Sequence, residues 1–155
     1  VKGMYEYAKN VYKGYPSTVI RSNVEWLFEK YCEESDAVEW FYKNGEDKYE
    51  SFSILYKDKK SKTRYFFPDY IVKTKDGRVW IIETKGGENL NKTSKDIDKN
   101  TEFKFNYLKE YTKEKGLEFG FVRDQGGREL LINNTTYTED LKNENWILLK
   151  DKISL

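Results

Sequence analysis

Residues 66–85 decide the fold, and they read F-F-P-D-Y-I-V-K-T-K-D-G-R-V-W-I-I-E-T-K. Two apolar runs, 66–72 and 79–84, lie on either side of Asp76-Gly77, a dipeptide typical of the turn in a β-hairpin. Neither run alternates between apolar and polar residues over most of its length. This pattern predicts two central strands that are buried on both faces.

Three charged residues interrupt this buried hairpin: Asp69 in the first strand, and Glu83 and Lys85 at the end of the second. Charge at the mouth of a buried sheet costs free energy unless it is paired or bound to a metal ion. If the lysine and the two acids share one face, the acids and the carbonyl of Thr84 can hold one Mg²⁺. Lys85 can then orient or deprotonate a water molecule and offset charge on a phosphate.

The length of the turn decides whether these side chains meet. A two-residue turn at 76–77 places Asp69 opposite Thr84, on the face away from Glu83. A three-residue loop at 75–77, whose glycine is left-handed, places Asp69 opposite Glu83 instead. The sequence permits either hairpin, and a shared site requires the second one or a bulge in the first strand.

The chain lacks histidine and has a single cysteine, Cys32. These counts exclude histidine-based hydrolases and nucleases, cysteine-rich zinc sites and disulfides within the chain. Any catalysis must therefore rest on carboxylates, lysine, tyrosine or a metal ion held by oxygen ligands, which suits Mg²⁺.

No apolar run approaches the length of a membrane span and no secretory signal is visible, so we expect a cytoplasmic protein without membrane contact.

Apolar periodicity and turn residues predict the other elements. Ser22 is a good N-cap, and the apolar spacing after it predicts a helix from residue 23 to about residue 34. A strand–helix–strand unit implies a parallel crossover inside a mixed sheet, hence an α/β fold. The expected elements after the first helix are a hairpin of 37–42 with 51–56, a hairpin of 63–74 with 78–84, a helix at roughly 95–115, strands 118–123 and 129–133, and a tail at 146–149 that packs on the body.

Residues 57–64 read K-D-K-K-S-K-T-R and come just before the first strand of the central hairpin. A basic stretch beside a site can bind phosphates, and a solvated loop explains it equally well. On the first interpretation the DNA-binding residues are Lys59, Lys60, Lys62 and Arg64.

The chain carries Pro68-Asp69, then a hairpin, then Glu83-Thr84-Lys85. This arrangement resembles the PD-(D/E)XK nuclease signature. The likeness extends over roughly residues 17–149, where the chain resembles the C-terminal endonuclease domain of type III restriction enzyme cleavage subunits. The stretches that carry it are R-S-N-V-E-W-L-F-E (21–29), F-F-P-D-Y-I-V (66–72), W-I-I-E-T-K-G (80–86), F-G-F-V-R-D (119–124) and N-E-N-W (143–146).

The resemblance implies a restriction-endonuclease-like core, a mixed central β-sheet flanked by helices on both sides. Residues 1–155 are then one nuclease domain, a fragment of a longer helicase-like restriction subunit. The implied reaction is Mg²⁺-dependent cleavage of double-stranded DNA, with Mn²⁺ as a substitute. The implied partners are an ATPase motor outside this chain and a modification (methyltransferase) subunit. ATP would act only through that motor. Cutting both strands suggests a dimer.

The resemblance also implies roles for individual residues. Asp69 and Glu83 become metal ligands and Lys85 the catalytic lysine, while Glu25 matches the family's helix glutamate. Lys99 and Lys104 become phosphate contacts, although solvated helix residues explain them as well. Glu25 also follows Ser22 at capping-box spacing, so a structural and a catalytic role stay open for it.

The sequence also offers two other interpretations. Residues 86–93 nearly match the phosphate loop G-x-x-x-x-G-K-[ST], but Asn91 replaces its second glycine and would obstruct the phosphate, so we reject an ATP site. The alternative to a nuclease is a non-catalytic DNA-binding or scaffolding module of the same fold. Divalent-ion binding that depends on Asp69 and Glu83 separates these two functions.

Overall fold

The structure, a computed structural model, describes residues 4–12, 14–16, 22–86 and 99–154. Within these ranges the chain forms ten strands and three helices, and none of the helices is long and apolar enough to cross a membrane. In chain order they are β1 (Met4–Glu6), β2 (Gly14–Pro16), α1 (Asn23–Glu34), β3 (Val38–Lys43), β4 (Ile54–Lys57), β5 (Thr63–Phe66), β6 (Tyr70–Thr74), β7 (Val79–Lys85), α2 (Thr101–Lys115), β8 (Glu118–Gln125), β9 (Glu129–Asn133), β10 (Ile147–Leu148) and α3 (Leu149–Lys152).

Six strands form a mixed central sheet in the order β10-β9-β8-β7-β6-β3. Strands β7 and β8 are parallel, as the strand–helix–strand unit predicts, and the other neighbours are antiparallel. Strands β1 and β2 pair with each other, as do β4 and β5, outside the central sheet. The predicted α/β architecture with a mixed sheet is confirmed.

Helices cover both faces of the sheet because β7 and β8 are apolar on both sides. Trp80 and Ile82 of β7 join α1 in one buried cluster, and their neighbour Ile81 joins the cluster around Phe105 and Leu108 of α2. Alternate residues of one strand thus face opposite layers, as strand geometry requires. The sheet is therefore the middle of three layers, and the ends of β6 and β7 reach the surface between the helices.

Two predicted strand assignments were wrong. Strand β3 pairs with β6 in the central sheet, and β4 pairs with β5, so 37–42 and 51–56 do not form a hairpin. The predicted strand 63–74 is two strands, β5 and β6, separated at Pro68. The proline carbonyl there accepts a hydrogen bond from the Asn44 side chain (2.9 Å) instead of continuing the ladder. Proline also lacks the N–H that a ladder uses.

The boundaries of the two main helices are set by their caps. Helix α1 spans the predicted residues, and Ser22 accepts the Glu25 N–H as its N-cap. Helix α2 ends at Lys115, as predicted, and the next residue, Gly116, is left-handed with φ 67°. Its predicted start was too early, because residues 99–100 form a turn and the helix begins at Thr101. Residues 95–98 of the predicted helix and most of the 86–93 motif lie outside the described residues.

The β6–β7 hairpin turns through a three-residue loop at 75–77, not through a two-residue turn at 76–77. The N–H of Thr74 donates to the carbonyl of Arg78 (2.9 Å), and Gly77 is left-handed with φ 89°. Tyr70 lies opposite Ile82, and continuing this register by one residue places Asp69 opposite Glu83. The turn therefore brings the two acids to the same end of the hairpin.

Candidate active site

A polar cleft of about 520 Å³ opens where β6 begins and β7 ends. Every residue that the sequence proposed as a catalytic or metal-binding group lies on its wall. The lining residues are Ser22, Glu25, Glu46, Tyr65, Phe66, Phe67, Asp69, Glu83, Thr84, Lys85 and Lys104. Side chains from α1, β7, α2 and the β5–β6 connection thus meet at one place.

Asp69 is oriented by Thr84. Its Oδ2 accepts hydrogen bonds from the Thr84 N–H (2.8 Å) and from the Thr84 hydroxyl (2.7 Å). The N–H and C=O of one strand residue point to the same side, so the Thr84 carbonyl also points toward the β6 side, where Asp69 lies. This arrangement is compatible with the predicted use of that carbonyl as a ligand.

Glu83 is buried next to a carboxylate and an ammonium group. Burial raises its pKa well above the ordinary value, and the nearby Asp69 carboxylate, close enough to share a hydrogen bond, raises it further. The Lys85 ammonium lies 3.4 Å from Glu83 Oε2 and lowers the pKa, without offsetting the other two causes. Two carboxylates held this close together favour a cation between them.

This donor set fits one hard divalent cation. The pair of carboxylates supplies the negative charge and the Thr84 carbonyl a further oxygen, the ligand type that Mg²⁺ takes. Among the described residues, no group of three or more His, Cys, Asp or Glu side chains is arranged to hold a metal. The structure thus brings Asp69 and Glu83 together as a pair and leaves Glu25 outside it.

Glu25 lies on the cleft wall and is held by two neighbours. Its Oε2 accepts the Ser22 N–H (2.8 Å), which completes the predicted capping box, and its Oε1 lies 2.8 Å from the Lys43 ammonium. Burial by itself raises the Glu25 pKa, but the hydrogen bonds and charge of Lys43 and the Ser22 donors outweigh it, so the pKa is lowered. Glu25 therefore caps α1 and also presents an ionised carboxylate beside the cleft.

The basic residues divide into one that lines the cleft and several that do not. Lys104 of α2 lines the cleft, with its ammonium 5.5 Å from the centre of the Phe66 ring. Lys99 is exposed in the turn before α2. Lys59, Lys60 and Lys62 are exposed near the tip of the β4–β5 hairpin, where Arg64 donates a hydrogen bond to Asp58. Of the six predicted DNA-binding residues, Lys104 therefore lies in the cleft with the acids and Lys85, and the other five lie outside it.

Sequence reasoning missed Lys43, Tyr65 and Phe67. Lys43 reaches Glu25 because β3 pairs with β6, and local sequence does not encode that long-range pairing. Tyr65 and Phe67 precede Asp69 at a spacing of two, the period of a strand, and all three line the cleft. That alternation was the available signal for the two aromatic residues.

Comparison with known protein families identifies a nuclease family. The family described as "TnsA-like endonuclease N terminal" matches residues 28–124, a segment that contains Asp69, Glu83 and Lys85. Neither a curated protein nor a solved structure gives a significant match. Because the family match covers more than half of the sequence, the chain belongs to the TnsA-like endonuclease N-terminal family, whose members are restriction-endonuclease-like nucleases of the PD-(D/E)XK type.

Proposed function

We propose that this chain is a Mg²⁺-dependent endonuclease domain that hydrolyses phosphodiester bonds of double-stranded DNA. The observation that carries the proposal is the pairing of Asp69 with Glu83, beside Lys85, on the wall of an open cleft. The family match to endonucleases supports the same activity. The metal, the substrate and the roles of individual residues are parts of the proposal.

Each side chain has a task that follows from its position. Asp69 and Glu83, with the Thr84 carbonyl, would hold the ion, and Thr84 fixes the Asp69 carboxylate through two hydrogen bonds. Bound Mg²⁺ lowers the pKa of water and stabilises charge on the phosphate. Lys85 lies beside Glu83, where its ammonium can offset charge on a phosphate oxygen or orient water. Lys104 adds a second cation to the same cleft.

The test is cleavage of supercoiled plasmid DNA by the purified chain, with and without Mg²⁺ or Mn²⁺. Lys85→Ala is expected to slow cleavage about a hundredfold or more, since a lost charge-stabilising group costs this much. Asp69→Asn and Glu83→Gln should lose cleavage and also the calorimetric signal of Mn²⁺ binding. Glu102→Gln, an exposed change on α2, serves as the matched control.

Two results would contradict the proposal. Cleavage that survives Asp69→Asn and Glu83→Gln would place the chemistry elsewhere. A chain that binds no divalent ion even with DNA present, and leaves the plasmid intact, would be the scaffolding module instead. Circular dichroism of each variant confirms that lost cleavage does not reflect lost folding.

The protein context is a separate proposal that rests on motif resemblance. The quoted motifs support a type III restriction setting, with an ATPase motor in the full-length protein, a methyltransferase subunit and paired domains for double-strand cutting. The family match supports the nuclease and leaves this setting open. In a type III setting, cleavage by the full-length protein depends on ATP and on the modification subunit; ATP-independent cutting without that subunit would contradict it.

A further inference from the structure

The β4–β5 hairpin buries one face and exposes the other beside the cleft. Ile54 and Phe66 lie opposite each other and pack in the same buried cluster as α2. On the outer face Leu55 lies opposite Tyr65, with 56% and 52% of their surfaces exposed. The Tyr65 ring stacks on Phe67, with centroids 6.0 Å apart and planes at 20°. We call Leu55, Tyr65 and Phe67 the outer strip.

The outer strip leads into the catalytic cleft. Tyr65 and Phe67 line the same cleft as Asp69, Glu83 and Lys85. A single exposed aromatic residue on a surface needs no explanation. An exposed tyrosine stacked on a second ring, on the wall of a polar cleft that holds two acids, offers a flat apolar surface where the scissile phosphate would lie. A planar ligand attached to a phosphate fits that combination.

The charge of the hairpin indicates the kind of ligand. Residues 57–64 contain five cations and one acid, Asp58. Asp58 is occupied by Arg64 and by the backbone N–H groups of Lys60 and Lys62. The exposed lysines therefore give this hairpin a net positive charge, which complements a polyanion. Aromatic rings beside a basic surface are the combination with which proteins bind single-stranded nucleic acid.

We propose that the outer strip stacks an unpaired or unstacked base next to the phosphate in the cleft. The DNA that suits this domain then carries a single-stranded or distorted segment at the cut. This inference rests on the proposed nuclease function for the identity of the polymer. Every base has an aromatic face, so stacking on Tyr65 tolerates any base, while the lysines hold the backbone.

The test is binding of fluorescent DNA measured by anisotropy in EDTA, where no cleavage occurs. The two probes are a single strand of about 20 nucleotides, longer than one stacking site, and the blunt duplex of the same sequence. Tyr65→Ala is expected to weaken single-strand binding about tenfold and duplex binding much less, because paired bases cannot leave the stack cheaply. Tyr65→Trp should retain the affinity.

Two controls separate stacking from charge. Tyr49→Ala removes an aromatic side chain that is 85% exposed and does not line the cleft, and should leave both affinities unchanged. Lys60→Ala should reduce the salt dependence of binding to both probes and preserve the preference for the single strand. Photocrosslinking of a 5-iodouracil-substituted strand should then identify Tyr65 as the crosslinked residue.

Three results for the Tyr65→Ala variant would overturn the inference. They are an unchanged affinity for the single strand, an equal loss of affinity for both probes, or a sedimentation coefficient that differs from the wild-type value while DNA binding is unchanged. The last result would mean that the outer strip contacts protein. A wild-type chain that binds the single strand through Tyr65 but never cuts would refute only the nuclease. A chain that cuts, with binding unaffected by Tyr65→Ala, would refute only the outer strip.

Discussion

Asp69 is fixed at the residue scale by its main chain as well as its side chain. Its carbonyl accepts the Asn44 N–H (2.7 Å), while its carboxylate accepts both donors of Thr84. Continuing the β6–β7 register would place Pro68 opposite Thr84, but the Pro68 carbonyl bonds to Asn44 instead. The Asp69 carboxylate thus takes the place of a ladder carbonyl as the acceptor for the Thr84 N–H, and this hydrogen bond orients it.

Substitutions of Glu25 separate its catalytic role from its role as a helix cap. Glu25→Gln keeps an acceptor for the Ser22 N–H but removes the negative charge that the lowered pKa maintains beside the cleft. We expect cleavage to fall about tenfold or more, and the free energy of unfolding to fall by about 1 kcal/mol or more, because the largely buried Lys43 ammonium loses its charged partner. Glu25→Ala should in addition cost about 1 kcal/mol of stability, because it removes half of the capping box.

Plasmid cleavage and urea denaturation check both variants. Serine at the N-cap provides the comparison, since Ser22→Ala should lower stability by a similar amount while keeping the Glu25 charge. If Glu25→Gln cleaves DNA at the wild-type rate, the glutamate is a helix cap and nothing more. This experiment decides between the two roles that the sequence leaves open.

At the scale of elements, the turn of the β6–β7 hairpin controls the site from its far end. Gly77 adopts φ 89°, a left-handed conformation that other residues enter at a cost of about 1–2 kcal/mol. The Asp76 carboxylate also accepts hydrogen bonds from the Thr74 hydroxyl (2.6 Å) and the Arg78 N–H (3.1 Å). These contacts fix a three-residue loop, and this loop length places Asp69 opposite Glu83.

The β4–β5 hairpin carries a prediction about pH. The Arg64 hydrogen bond, helped by the Lys62 and Lys60 N–H groups, lowers the pKa of Asp58 from 3.8 to about 2. A lowered carboxyl pKa stabilises the folded hairpin above the unfolded value of 3.8, and that contribution disappears as the pH falls through about 2. We therefore expect the hairpin to loosen as the pH drops from 4 to 2, before the central sheet does.

Hydrogen exchange followed by mass spectrometry measures this difference. Peptides of β4 and β5 should lose protection over that interval, while peptides of β7 and β8 keep theirs. Asp58→Asn should loosen the hairpin at neutral pH and remove its pH dependence, and Asp47→Asn, in an exposed loop, is the control. Equal protection of the hairpin at both ends of the interval would show that the Asp58 contacts do not hold it together.

At the scale of the whole molecule, α2 is attached to the sheet by aromatic packing. Phe105 is fully buried and lies 5.1 Å, centroid to centroid, from the rings of both Phe119 and Phe121. Phe105→Ala is expected to destabilise the fold by about 3–5 kcal/mol, the usual cost of removing a buried phenylalanine side chain. Because Lys104 is the preceding residue, loosening α2 also displaces a cation from the cleft.

Chemical denaturation measures the loss of unfolding free energy in Phe105→Ala. Tyr107→Ala, which removes a partly exposed ring from the same helix, should cost roughly 1 kcal/mol or less. A loss below about 1 kcal/mol in Phe105→Ala would mean that α2 is held by other contacts than this aromatic cluster.

Local sequence patterns by themselves determined α1, its capping box, the buried β6–β7 hairpin and the acids and lysine at its end. Hydrogen bonds and apolar spacing within a few residues encode these features. The length of the hairpin turn was left open by the sequence, and the structure shows that contacts of Asp76 within the turn fix it. Only the tertiary structure decided that β3 pairs with β6 and that Lys43 therefore reaches Glu25. Strand pairing depends on how all the strands and helices together bury their apolar faces, and that balance cannot be read from any one segment.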